Sequence, residues 1–296
     1  MSDGAEGVVT AVFAQSFHIV LDGAIVCLGD HRLGRGPLNA LIPTTPPGGW
    51  AYLGFAVGQS CRVDQSLLFV GESARFDFRD ATPWSAETWP RAWSAETLTS
   101  SLAALGATAT GKVPIDGLAC LAFGEGCGVG LGGAMQETAG LRAASISDWL
   151  ATELAGNDDR HDPSLVRRAH EAVKGLMGLG PGLTPAGDDV LAGLLIALHA
   201  ANEGAAASAL ANFIHATPTD QTTALSRAFL DAAIEGLPGE AMAVMITALL
   251  SGDHASLPVA LGNIDAIGHT SGWDMLAGAV LGLAAVATAR AGAGPT

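Results

Sequence analysis

The pattern of apolar and polar positions changes along the chain. Over the first 80 residues, apolar side chains come in short runs: Val8–Phe13, Phe17–Leu21, Ala24–Leu28, Tyr52–Val57, Ser60–Val63, Leu67–Val70 and Ala74–Phe78. Runs of this length and composition predict β-strands. Asp22-Gly23, between the second and third runs, predicts a two-residue hairpin. Pro43, Pro46 and Pro47, followed by Gly48 and Gly49, predict a loop between two strand groups. Short strands at this spacing predict a small barrel or sandwich.

From about Ala134 onward the pattern turns helical. The predicted helices are Ala134–Leu154, Ser164–Gly175, Pro185–Glu203, Ala205–His215, Asp220–Ile234, Glu240–Leu250, Pro258–Ile264 and Ser271–Ala291. An earlier helix, capped by Ser94, is predicted to reach about Leu105. The expected fold class is α+β, with an N-terminal β-rich barrel or sandwich followed by a C-terminal α-helical bundle. The expected boundaries are 1–110 for the β-rich domain, 111–133 for a glycine-rich crossing and 134–296 for the helical domain. Within the crossing, Glu125 to Gly133 reads equally as a ligand loop or a flexible connection. Trp84, Trp89 and Trp93 read as a packed connector beneath the β domain, with a substrate platform as the sharper alternative.

Composition narrows the function classes. Hydrophobic residues make up 49 % of the 296 positions and charged residues 15 %, against roughly 25 % charged in an ordinary domain. Such a chain is not intrinsically disordered. Its 14 basic and 29 acidic residues leave a net charge of −15, which argues against a nucleic-acid footprint or an anionic membrane surface as partner. After Gly175 only Arg227 and Arg290 are basic, and several helices there look apolar on more than one face. That pattern predicts a homo-oligomer or a hetero-complex.

Cys27, Cys61, Cys120 and Cys127 fit neither a zinc ribbon nor a disulfide framework, so buried free thiols in a reducing cytoplasm are expected. Met1 to Glu6 lack the basic stretch of a signal peptide. The apolar runs Val190–Ala201 and Met275–Ala289 fall short of the roughly 20 residues that span a bilayer. They read as core helices.

Two helix entrances carry the strongest signal. Gly178-Leu179-Gly180-Pro181-Gly182-Leu183-Thr184-Pro185-Ala186-Gly187-Asp188-Asp189 leads into Val190-Leu191-Ala192-Gly193. Gly268-His269-Thr270-Ser271-Gly272-Trp273-Asp274 leads into Met275-Leu276-Ala277-Gly278. Aligned at an offset of 85, both contain Gly-x-Asp-apolar-Leu-Ala-Gly. Helix starts present free N–H groups and positive dipole ends, which suit anions. Pro185 suits a first helical position with Thr184 as its cap. Ser271-x-x-Asp274 has capping-box spacing, and Asp188 and Asp189 complement a helix dipole equally well. The alternative is chemistry: carboxylates that accept ligand N–H groups, accept protons or bind a bridging magnesium ion. No cofactor is assigned, and magnesium stays open.

Other features rank lower. His161, His170 and His199 lack metal-ligand spacing and read as structural or solvated. His31-Arg32-Leu33-Gly34-Arg35-Gly36 reads as an exposed basic loop, with anion binding as the alternative.

The two entrances, together with Thr222-Thr223-Ala224-Leu225-Ser226, resemble the H-type subunit family of oxamate carbamoyltransferase, a multi-subunit bacterial enzyme. Ala186 stands where many relatives carry serine, so a hydroxyl there is not essential. The resemblance implies phosphorolysis of oxalurate to oxamate and carbamoyl phosphate, in the use of allantoin and purine nitrogen. It implies other transferase subunits as partners and a small anion as ligand: oxalurate, carbamoyl phosphate or phosphate. In the corresponding mechanism Asp188, Asp189, His269 and Asp274 are the catalytic candidates. Asp188 or Asp189 accepts from ureido N–H groups or holds a metal, and His269 shuttles a proton or donates to an oxyanion. Asp274 orients His269 or lines the opposite wall. The substrate-binding candidates are Gly180, Gly182, Thr184, Gly187, Thr223, Ser226, Gly268, Thr270, Ser271 and Gly272. For Thr223 and Ser226, hydroxyls bonded within their own helix are the alternative. A scaffold or regulatory subunit and a magnesium-dependent hydrolase are the competing readings.

Overall fold

A computed structural model describes residues 2–72, 74–85, 89–124, 133–156 and 162–292. The chain forms two compact units, residues 1–86 and 87–296. The fold is α+β, a β-rich unit followed by helices.

The first unit is one curled seven-stranded sheet rather than a sandwich. Its strands are β1 (Glu6–Val12), β2 (Ser16–Leu21), β3 (Ala24–Gly29), β4 (Asn39–Leu41), β5 (Ser60–Asp64), β6 (Leu67–Val70) and β7 (Ala74–Asp77), ordered β4-β3-β2-β1-β5-β6-β7. Period-two alternation sets the inner face: Phe17, Ile19 and Leu21 on β2, Cys61 and Val63 on β5, and Leu68 and Val70 on β6 are buried. Asp22 and Gly23 make the expected hairpin, with φ of 48° and 85°.

The expected strand over Tyr52–Val57 is instead a 3₁₀ turn, Ala51–Leu53, closed by Gly54 at φ 82°. Trp50 and Phe55 turn inward onto Phe17, at ring distances of 4.9 and 4.8 Å. Tyr52 and Phe55 favoured a strand over Tyr52–Val57 in the sequence, yet the glycines bend the backbone. β4 pairs parallel with β3 and went unpredicted, because three residues are too few to show alternation. Beside it Arg32 clasps Asp30, with Nε 2.9 Å from Oδ1 and a terminal nitrogen 2.5 Å from Oδ2, so its charge is matched within the loop.

The second unit holds α1 (Ala95–Ala109), α2 (Cys120–Phe123), α3 (Gly133–Ala155), α4 (Pro163–Leu176), α5 (Ala186–Ala200), α6 (Gly204–His215), α7 (Ala224–Ile234), α8 (Glu240–Ser251), α9 (Leu257–Asp265) and α10 (Ser271–Gly292). The Ser94 hydroxyl caps α1, accepting from Thr97 N–H at 3.0 Å. Helix α1 was expected within residues 1–110, yet it packs on α8 and α10 and belongs to the helical unit. Trp89 and Trp93 likewise pack on the helical core, and Arg290 stacks on Trp93 at 3.9 Å.

Helix α5 is buried at every position except His199, which explains its apolar surface all round. It crosses α10 at bare backbone. A Cβ on Gly193 would lie 1.8 Å from the Met275 carbonyl oxygen, and one on Gly278 would lie 1.9 Å from that of Val190. α10 alone among the described helices is long and apolar enough to cross a membrane. Its packing on α5, α1 and α3 is that of a core helix.

Cys27 and Cys61 are buried free thiols, as expected. Cys120 is disulfide-bonded, which corrects the expectation for that residue. Cys127, His161 and the glycine run 125–132 lie outside the described residues. His170 stacks on Phe213 with centroids 5.5 Å apart, and His199 Nε2 lies 2.9 Å from the Ile234 carbonyl oxygen.

Candidate functional site

The two helix entrances meet. Thr184 Oγ1, before α5, lies 2.9 Å from Ser271 Oγ, the first residue of α10. Thr184 therefore does not cap α5. The cap position belongs to Pro185, whose side chain offers no acceptor. The expected capping box is absent too, because Asp274 Oδ1 accepts instead from Leu118 N–H at 2.5 Å.

Each entrance is fixed by a glycine against the helix before it. A Cβ on Gly187 would lie 2.0 Å from the Leu176 carbonyl oxygen, and one on Gly272 would lie 2.0 Å from that of Ile264. Gly187 N–H donates to Leu179 at 2.9 Å, and Gly272 N–H to Ile267 at 3.1 Å. Gly187 and Gly272 thus occupy equivalent places in the two α-turn-α units α4–α5 and α9–α10. So do Asp189 and Asp274, and Gly193 and Gly278.

The aspartates differ in surroundings. Asp188 is 1 % exposed and takes three hydrogen bonds. Gly178 N–H donates to Oδ1 at 2.9 Å, Ser226 Oγ to Oδ2 at 2.7 Å, and the Thr222 hydroxyl also to Oδ2. It ties the entrance loop and α7 to α5. Thr223 caps α7, accepting from Ser226 N–H at 3.0 Å and donating to the Leu183 carbonyl.

Asp189 is 4 % exposed, and its Oδ2 is buried without a hydrogen-bond partner among the described residues. Burial pushes its carboxyl well above the usual range, and the charges of Asp274 and Asp188 add to this. The Ser271 and Thr184 hydroxyls stand close enough to oppose the shift.

Asp274 is 0 % exposed, and its Oδ2 is likewise without a partner. Burial pushes its carboxyl up to about 6, against donation from Leu118 N–H, the Thr270 hydroxyl and Ala119 N–H, and the nearby charge of His269.

Residues 176–283, from the end of α4 to the middle of α10, match the family model described as oxamate carbamoyltransferase subunit AllH. Over this segment the chain is similar to that family. No curated protein and no solved structure matches the chain.

Within the matched segment the structure brings Thr184, Asp189, Ser271 and Asp274 to one place, with Thr270 beside Asp274. Gly180, at φ 116°, approaches Ala186 N–H, and Gly268, at φ 60°, faces Ser271. Gly182, at φ 100°, faces open space. His269 is set apart: its side chain is 87 % exposed, with Nε2 3.7 Å from Asp116 Oδ2.

The sequence reading missed the segment that closes the site from outside the AllH match. Gly117, at φ 79°, lies so close that a Cβ would sit 2.6 Å from Asp274 Oδ1. Gln136 of α3 holds this segment, donating to the Ile115 and Gly117 carbonyls at 2.9 and 3.1 Å. Only a glycine and an apolar neighbour mark it in the sequence. Among the described residues, no group of three or more His, Cys, Asp and Glu is arranged to hold a metal ion.

Proposed function

We propose that this chain is a subunit of an oxamate carbamoyltransferase-like enzyme that works in a complex with other transferase subunits in the cytoplasm. The reaction is phosphorolysis of oxalurate to oxamate and carbamoyl phosphate, in the breakdown of allantoin and purine nitrogen. The observation that carries this reading is the 2.9 Å contact between Thr184 and Ser271, inside the family-matched segment and over two buried carboxylates.

The ligand sits at the mouth of the two entrances. Backbone N–H groups near Gly180, Gly182, Gly268 and Ser271 orient its anionic end, helped by the dipoles of α5 and α10. Asp189 and Asp274 lie buried behind the Thr184 and Ser271 hydroxyls, beneath its ureido end. A protonated carboxyl there avoids the repulsion that two carboxylates would exert on an anion. His269, exposed at the rim, attracts the anion. Asp188, Thr223 and Ser226 hold the frame through the contacts already described.

A non-catalytic scaffold is the second reading. The observation favouring it is that Asp188, Thr223, Ser226, Gly187 and Gly272 are all engaged in internal contacts.

Calorimetric titration of the purified chain with oxalurate, oxamate, carbamoyl phosphate and phosphate, with and without magnesium, tests the proposal. Saturable binding that is lost in Asp189→Ala and His269→Ala supports it. No binding by the chain, together with unchanged phosphorolysis by a reconstituted complex carrying Asp189→Ala, would leave the scaffold reading standing.

A further inference from the structure

The carboxylates at the centre of this site are sealed. Asp189 is 4 % exposed and Asp274 0 %, so neither touches a ligand at the mouth directly. The bare-backbone crossing of α5 and α10 holds the two helices that carry these carboxyls in close contact. Beside Asp189 stand two half-buried hydroxyls, Thr184 Oγ1 and Ser271 Oγ, 2.9 Å apart. A hydroxyl both donates and accepts, so such a chain can transmit a proton in either direction. Neither hydroxyl is engaged in capping a helix. Asp189 Oδ2 and Asp274 Oδ2 have no hydrogen-bond partner among the described residues, so neither carboxyl is fully held as a carboxylate by donors and each can carry a proton that rotation of the carboxyl presents to its neighbours.

We propose that Thr184 and Ser271 form a proton relay linking the sealed Asp189–Asp274 pair to a ligand at the mouth of the two helix entrances. The inference rests on the phosphorolysis reading for what the relay serves. A phosphate oxygen forms a bond to the carbamoyl carbon of oxalurate, and the bond from that carbon to the oxamate nitrogen breaks. The leaving nitrogen needs one proton, and hydrogen phosphate has one to give up. The Asp189 carboxyl supplies a proton through Ser271 and Thr184, and the phosphate proton returns along the same hydroxyls. Proton count and charge balance without a co-reactant. His269, exposed beside Asp116, lies outside this relay. The ionisable groups around Asp189 are Asp188 on its own helix, Asp274 on α10, and His269 and Asp116 at the rim.

The relay is testable without turnover. Infrared spectroscopy of the full chain at neutral pH reads the C=O stretch of a protonated carboxyl, and mixing into D₂O times its exchange. The expected result is a protonated-carboxyl band in the wild type that disappears in Asp189→Asn. Ser271→Ala and Thr184→Val should keep the band while slowing its exchange about tenfold or more, and Thr184→Ser should restore the wild-type rate. A missing band, or exchange equally fast in Ser271→Ala, overturns the relay whatever the enzyme does. In the reconstituted complex, Ser271→Ala should lower kcat about 100-fold, within the range of general acid–base catalysis, with KM little changed. Slowed exchange alongside an absence of phosphorolysis by the wild-type complex would overturn the functional reading and leave the relay intact.

Discussion

Gly193 and Gly278 occupy reciprocal positions across one helix crossing: each leaves room for a carbonyl of the other's helix, Met275 in one case and Val190 in the other. The residues pair at the same offset of 85 that relates the two sequence motifs. In an exposed helix, glycine to alanine gains about 1 kcal/mol. Here the added methyl would sit within 2 Å of a backbone oxygen. Gly193→Ala and Gly278→Ala should each cost about 3 kcal/mol, the upper range for overpacking. A urea midpoint equal to or above that of the wild type in either variant would refute the reading.

Asp188 should behave as a structural carboxylate. Its replacement by alanine strands the Gly178 N–H and two hydroxyls in the interior, a loss of about 3 kcal/mol. Ser226→Ala removes one bond of the set and should cost about 2 kcal/mol. Because both act through one contact, the double variant should be less destabilised than the sum of the two. Simple additivity in a denaturation cycle would show that the contact contributes nothing.

The buried pair should make stability fall as pH rises. Unfolded Asp274 titrates near 3.8, and the folded residue near 6. Between these values the folded chain keeps a proton that the unfolded chain has released. The contribution is complete below 3.8 and gone above about 6, and it corresponds to about 3 kcal/mol. Asp189 acts in the same direction, while Asp77, held low by Arg79, acts oppositely. Asp274→Asn should therefore gain on the wild type between pH 4 and pH 7. Parallel pH profiles for the two proteins would rule this out.

Gly117 should resist substitution more than a glycine of similar backbone. Gly117→Ala incurs the cost of a positive φ and drives a methyl against Asp274. Gly111, at φ 71° with nothing within 4 Å of its Cβ position, incurs only the first. Each should lose about 1 kcal/mol or more for the backbone, with Gly117→Ala losing a further 1–3 kcal/mol or so for the clash. Equal melting temperatures for the two variants would remove Gly117 from the site.

The helices were legible because their signals are local. Ser94 caps α1 as its sequence predicts, and the ends of α6 at His215 and α7 at Ile234 follow from periodicity and breakers. The sheet was read less well. Tyr52 and Phe55 look like strand residues, yet Gly54 and the glycines before them set a turn, and β4 is too short to alternate. At the site, the paired motifs announced two helix entrances. That they meet depends on Gly193 and Gly278 packing across 85 residues, which no local pattern encodes. The Thr184 hydroxyl illustrates the limit: local rules made it a cap, and a partner on another helix claimed it instead.

The late position of α10 has a consequence for biosynthesis. The bare stripe of α5 around Gly193 has its mate only at Gly278, 85 residues further on. At ribosomal speeds of about 5–20 residues per second, α5 waits roughly 4–17 s for that mate to be made. Throughout that interval an apolar helix designed for complete enclosure stands open to other nascent chains. Slow codons after α5 would lengthen that interval, and faster translation would shorten it.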